Sequence, residues 1–219
     1  MKIARWTALS AATILLTACG AFFGRSDIET RYYTLDYVPS PPPERLQHGP
    51  YPFVLRLRDP SIAEAYRRSQ IVYRQSSYQM LFYSYHLWAV DPDRMIGDLL
   101  LKHLGAARLF DNVTRSIETY SPDYQLTTDI QAIEEFDGPS AWYAHLAVEY
   151  QLIEQKNGQV VWKKLYDLRK TVSQKEPVYV VRELSALLET MNNSLVQELE
   201  TVLAAGSHPA KSDSGPPRR

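Results

Sequence analysis

Few side chains in this 219-residue chain are typed and spaced for chemistry. Its single cysteine, Cys19, lies in "LLTACG" (15–20) with no second thiol to pair with, so a disulfide or dithiol couple is excluded and a nucleophilic thiolate remains. His48, His86, His103, His145 and His208 show neither H-x-H nor H-E-x-x-H spacing, so no metal site and no cofactor is expected. Ser140 in "GPSAW" lacks the second glycine of a nucleophile elbow, and no Walker A or G-x-G-x-x-G run is present. Glu134, Glu135 and Asp137 cluster, but strict strand alternation puts Glu135 and Asp137 together on a solvated face, an acidic edge rather than an acid/base pair. No catalytic residue is expected and the chain does not read as an enzyme.

One cluster has the chemistry of recognition. Arg67, Arg68, Gln70, Tyr73 and Arg74 lead into Tyr78, Tyr83, Tyr85, His86 and Trp88. Arginine and the large aromatics are enriched at protein interfaces and dominate their hot spots. The candidate partner-binding surface is therefore Arg67, Arg68, Tyr73, Arg74, Tyr83, Tyr85, His86 and Trp88. The alternative, rings in a core with arginines on a solvated edge, stays open at this point.

Composition bounds the partners. Lys+Arg 24 against Asp+Glu 25 leaves a net charge of −1, which supplies no field for a phosphate backbone and excludes nucleic acid as the main partner. Hydrophobic residues at 45% suit one globular domain with a real core. Fifteen tyrosines and four tryptophans suit sheets, interfaces and membrane-proximal surfaces alike.

Residues 1–18, "MKIARWTALSAATILLTA", have the layout of a secretory signal: Lys2 and Arg5, a short apolar run, then small residues. The uncharged run is too short to span a bilayer, which needs about 20 residues. Leu16-Thr17-Ala18-Cys19 resembles the bacterial lipobox, in which the cysteine sulfur takes a diacylglyceryl group and the signal is cut just before it. Small Thr17 and Ala18 admit the peptidase, and the acyl chains supply more than the two signals needed for stable anchoring. Gly20 follows where an aspartate often retains such proteins in the inner membrane, so the outer membrane is the expected address, facing the periplasm. Residues 19–30 form a lipidated tether of at most about 40 Å.

The elements that must position the cluster follow from periodicity. "RYYTLDYV" (31–38) and "FVLRLRD" (53–59) alternate as strands around a proline-rich loop at 39–52. Ser61–Arg68 allows a helical turn or two. "QIVYRQ" (70–75) and "YQMLFYSYHLWA" (78–89) read as strands, the second apolar on both faces and so expected at the centre of its sheet. Asp91-Pro92 opens a helix that Gly105 is expected to end. Tyr124, Leu126, Thr128, Ile130, Ala132 and Phe136 line one face of a long strand, and Trp142 to Leu152 alternate likewise. Asn157-Gly158 then turns into a strand at 159–172. Leu184, Leu188, Met191, Leu195, Leu199 and Val202 stripe a helix over 178–204, and 205–219 reads as a disordered tail. Together these predict an α/β fold: a single compact domain at 31–204 with a mixed, largely antiparallel sheet and two main helices.

With the order of features in view, "RYYTLDYVP", "RRSQIVYRQSSYQMLFYSYHLWAVDP" (67–92), "LFDNV" (109–113) and "YQLTTDIQAIEEF" (124–136) resemble the ABC-type transport auxiliary lipoprotein family, the PqiC-like component. The most specific parts are Gln70-Ile71-Val72-Tyr73-Arg74 and His86-x-Trp88-Ala89, although Val90 stands where an acidic residue often follows Trp-Ala. The resemblance implies a fold similar to the anticodon-binding-like and TolB amino-terminal architectures. It also implies a non-enzymatic subunit serving an MCE (mammalian cell entry) domain protein and its membrane permease in lipid transport between membranes. That subunit docks the periplasmic conduit at the outer membrane, with self-association left open. A periplasmic lipid-binding carrier, shielding an acyl chain between the Tyr-rich sheet and the last helix, is the alternative. A hydrolase requires a pocket uniting Ser140 or another hydroxyl with a histidine.

Overall fold

The computed structural model describes residues 29–39, 50–116, 121–138 and 141–206. The signal at 1–18, Cys19, most of the tether, positions 40–49 of the proline-rich loop, Ser140 and nearly all of the tail lie outside the described residues. The chain divides into Met1–Thr30 and Arg31–Arg219, and the second unit holds all the described strands and helices.

Its spine is one long hairpin. Strands β7 (Tyr124–Asp137) and β8 (Trp142–Glu154) pair antiparallel along their whole length, and β9 (Gln159–Thr171) extends β8 in the same sense. The β8–β9 turn is built by Asn157-Gly158: Gly158 takes φ 71°, which L side chains resist, and Asn157 Oδ1 accepts the Gln159 N–H at 2.8 Å. The other edge of β7 receives three shorter strands in succession, all parallel to it. These are β2 (Tyr51–Leu57), β3 (Ser61–Ile62) and β4 (Gln70–Ser76). Strand β5 (Gln79–Trp88) pairs antiparallel with β4, β1 (Arg31–Tyr33) runs beside the end of β5, and β6 (Phe110–Thr114) lies outside β2. The sheet is mixed: β7, β8 and β9 pair antiparallel, as do β4 and β5, and the other pairings are parallel.

Two helices cover one face. In α2 (Pro177–Gly206) the residues Leu184, Leu188, Met191, Leu195 and Leu199 are fully buried, as the four-and-three spacing predicts. Helix α1 (Pro92–Ala107) lies against α2 and β6. Asp91 occupies its N-cap position without a side-chain cap bond, and Pro92 starts the helix. Gly105 does not end it. The helix continues to Ala107, because burying Ala107 and Leu109 outweighs the glycine, and Arg108 at φ 51° makes the left-handed exit.

Four further expectations change. The first predicted strand keeps its pairing only to Tyr33, because Leu35 and Tyr37 leave the sheet and pack by the helices. There Asp36 N–H meets Ser185 Oγ and Asn192 Nδ2 donates to Tyr37 Oη at 2.6 Å. Ser61–Arg68 is not an α-helix: Ser61 and Ile62 pair with Asp129 and Ile130, leaving one 3-10 turn at Glu64–Tyr66. Strand β5 is not central. Only His86–Trp88 have a neighbour beyond it in β1, so Gln79–Tyr85 form a free edge among the described residues. Finally, β7 carries one extra residue at Gln131, since Ile130 opposes Val148 while Ala132 opposes Ala147. This bulge inverts the faces beyond it. Ile133 and Glu135 join Ile130 on the helix-covered side, and Ala132, Glu134 and Phe136 turn to the other.

Candidate partner-binding site

The β4–β5 hairpin gathers most of the arginine and aromatic cluster. Its turn is Ser77–Tyr78, with Tyr78 N–H on Ser76 Oγ, and the Tyr78 side chain is 100% exposed. Farther down, Gln70 opposes Leu87 but Val72 opposes Phe82, so β5 swells over Tyr83, Ser84, Tyr85 and His86. The swelling sends neighbouring side chains in different directions. Tyr83 and His86 converge (ring centroids 5.2 Å apart), whereas Tyr85 stays 44% exposed.

The cluster therefore separates into three layers. Trp88 is 4% exposed and belongs to the core with Ile71 and Val72. Tyr73, Arg74, Tyr83 and His86 form a half-buried layer. The Tyr73 and Tyr83 rings meet tilted at 37° with centroids 4.6 Å apart, Tyr83 Oη donates to both Glu135 oxygens at 3.1 Å, and His86 Nδ1 meets Tyr33 Oη at 2.7 Å. Arg67, Arg68, Tyr85, Tyr78 and Phe82 make the outer layer. Arg67 donates to Glu64 at 3.1 Å, and the Arg68 guanidinium lies 3.8 Å from the centroid of the 41% exposed Phe82 ring, a cation–π contact.

Beneath the hairpin lies a polar network that alternation alone did not reveal. Glu134 is 4% exposed and accepts from Tyr66 Oη and Arg74 Nε, both at 2.6 Å, and meets His145 Nδ1 at 3.0 Å. His145 Nε2 in turn reaches Asp167 at 2.8 Å. Glu135, 0% exposed, projects from the opposite face. The solvated acidic edge expected here is thus corrected: the bulge at Gln131 and the strands on both sides of β7 bury both carboxylates. A pair of consecutive acids amid strand residues was the available signal, because alternation cannot turn both outward.

Environment splits these neighbours. Burial pushes the Glu135 carboxyl up to about 7, with the charge of Asp137 adding and the Tyr83 hydrogen bond opposing. Burial also raises Glu134, but hydrogen bonds from His145, Tyr66 and Arg74 outweigh it and hold the group below the usual carboxylate range. Tyr66 is pushed up to about 12 by burial and its bond to Glu134. Burial, then the charge of Arg31, lowers His86. Every one of these groups has a structural partner, so the network braces the hairpin. Among the described residues no group of three or more His, Cys, Asp or Glu side chains is arranged to hold a metal ion. None of the described helices is long and apolar enough to cross a membrane.

The fold is a mixed sheet with two helices on one face and an arginine- and tyrosine-bearing hairpin at its edge. Residues 33–196 match the family described as ABC-type transport auxiliary lipoprotein component, and the chain belongs to that family. It is accordingly a transport-associated lipoprotein. No curated protein matches in sequence. A Xanthomonas campestris protein of the DUF330 family shares the fold, with TM-score 0.71, 19% identity, and coverage of 81% of this chain and 99% of that one. A crystal structure of an uncharacterised protein aligns with TM-score 0.62, 15% identity, and coverage of 78% and 99%.

Proposed function

We propose that this lipoprotein docks the periplasmic conduit of an MCE-type lipid transport system at the outer membrane, held there by lipid on Cys19. The observation that carries this reading is the outer layer of the hairpin: Tyr78, Phe82 and Tyr85 stand exposed along the edge hairpin, with the Arg68 guanidinium over the Phe82 ring. Exposed aromatics with arginine are the residues that form interface hot spots, and a free strand edge accepts a partner strand. Family membership supports a subunit of a transporter, and the lipobox-like Leu16-Thr17-Ala18-Cys19 with Gly20 supports the membrane address. The role is non-enzymatic, and its partners are an MCE-domain protein and the associated permease.

The carrier alternative places an acyl chain between sheet and α2. That space is filled by Leu184, Leu188, Met191, Leu195 and Leu199, all fully buried, which favours docking over carriage. The test is affinity capture from solubilised envelopes with the intact lipoprotein. An MCE-domain protein is expected with the wild type and is lost with Tyr85→Ser combined with Arg68→Glu. Recovery of that protein equally with both would remove the hairpin as the docking surface, and its absence from both would remove the function.

A further inference from the structure

Toward the opposite end of β7 from the hairpin, the same edge of the sheet holds a second polar recess. Strand β2 there lies between β6 and β7 and runs parallel to both. At the carboxyl ends of β2 and β6 opens a cavity of about 460 Å³, lined by Arg56, Leu57, Arg58, Asp59, Arg115 and Gln125. Open α/β sheets take ligands outside the carboxyl ends of parallel strands.

Three guanidiniums reach this cavity by separate routes. Arg56 and Arg58 are two residues apart and share one side of the extended chain. Arg56 Nη2 is steered by Gln125 Oε1 at 2.7 Å, and the Arg58 backbone is fixed by its N–H to the Leu126 carbonyl at 3.0 Å. Arg115 follows β6 and is gripped by Asp59 at 2.6 Å and Asp98 at 2.5 Å. Helix α1 approaches closely there because Gly97 has no side chain: a Cβ would lie 3.0 Å from Pro60 Cδ and 3.4 Å from Arg115 Nη2. Among the described residues neither Arg56 nor Arg58 forms an ion pair. Counted with the two carboxylates that hold Arg115, Asp59 in the lining and Asp98 behind it, the three guanidiniums carry one positive charge in excess.

We propose that this recess binds a phosphodiester monoanion of glycerophosphodiester size. Guanidinium forks match phosphate oxygens in pairs, and two forks without a carboxylate, Arg56 and Arg58, beside a fixed third suit one tetrahedral anion. The single excess charge favours a singly charged diester over dianionic phosphate, and Asp59 and Asp98 oppose a second negative charge. The same chemistry occurs in a phospholipid headgroup and in a soluble glycerophosphodiester. The inference does not depend on the docking role of the hairpin, since no partner protein enters its test.

The experiment is calorimetric titration of the purified lipoprotein in non-ionic detergent with glycerophosphoglycerol, and separately with inorganic phosphate. Saturable binding of the diester is expected, weakened about tenfold or more by Arg58→Ala, as loss of a charge-assisted contact implies. Arg58 is exposed and its side chain forms no hydrogen bond or ion pair among the described residues, so that variant keeps the fold. Arg169→Ala, which removes an exposed charge on β9, is expected to leave the affinity unchanged. Displacement of the diester by micellar phosphatidylglycerol assigns a lipid headgroup, and failure to displace assigns a soluble diester. No saturable binding, tighter binding of inorganic phosphate, or equal weakening by Arg169→Ala would overturn the proposal.

Discussion

Replacing Glu135 with glutamine isolates the energetic consequence of burying one of two consecutive carboxylates. Glu135 is wholly buried, and burial raises its carboxyl from the ordinary 4.5 to about 7. In the unfolded chain the same group ionises in water. The raised group therefore contributes stability that is fully present below about pH 4.5 and is lost as pH rises through about 7. Between pH 5 and pH 8 the loss amounts to about 2 kcal/mol. Glu135→Gln keeps the shape and an acceptor for Tyr83 Oη but cannot ionise, so it escapes that loss. The measurement is urea unfolding of the unlipidated chain from residue 20 onward, whose buried core from Leu35 to Leu203 lies wholly in the folded unit. With a slope of about 2 kcal/mol per molar, the midpoint of the variant should gain about 1 M on wild type between pH 5 and pH 8. Glu134 has the opposite sign. Its lowered carboxyl contributes stability above the ordinary carboxylate range and loses it on acidification, equally in both proteins. Parallel pH profiles for the two proteins from pH 5 to 8 would refute the reasoning.

Asn192 is fully buried, accepting from Tyr150 Oη at 2.9 Å and donating to Tyr37 Oη at 2.6 Å. Asn192→Ala strands two buried phenols and should cost about 3 kcal/mol by chemical denaturation, with Tyr37→Phe costing about 1 kcal/mol. Arg74→Ala removes the cation on buried Glu134. Because Arg74 is a quarter exposed, water replaces part of it, and a loss of about 2 kcal/mol at pH 7 is expected, shrinking on acidification as Glu134 protonates. A loss independent of pH would mean that packing, not charge, holds Arg74. Cys19→Ala should abolish incorporation of labelled palmitate while the circular dichroism of the folded unit stays unchanged; labelling that persists places the lipid elsewhere.

The two sites differ in how they could be read. Arg67, Arg68 and Tyr85 announce themselves because arginine and tyrosine crowd one short stretch. The recess of Arg56, Arg58 and Arg115 does not, since Arg115 stands far along the chain and reaches the others only when β6 lies beside β2. The i, i+2 pair in "RLRD" was its one local trace. Trp88 and Tyr85 are three residues apart and equally aromatic, yet one fills the core and the other faces solvent. The swelling of β5 opposite Gln70–Val72 decides that, and it arises from pairing with a strand whose register no local pattern states.

What the sequence by itself determined is whatever rests on neighbours along the chain. The Asn157-Gly158 turn needs a positive φ, the stripe from Leu184 to Leu199 follows the helical period, and the long alternations of β8 and of β7 as far as Ile130 follow the pleat. What only the tertiary structure decided is which side of those elements finds cover. One extra residue at Gln131 turns Glu134 toward Arg74 and His145 and buries Glu135 against Tyr83. The physical reason is that a bulge costs little locally, while the gain from apolar burial and paired charges is collected across strands distant in sequence.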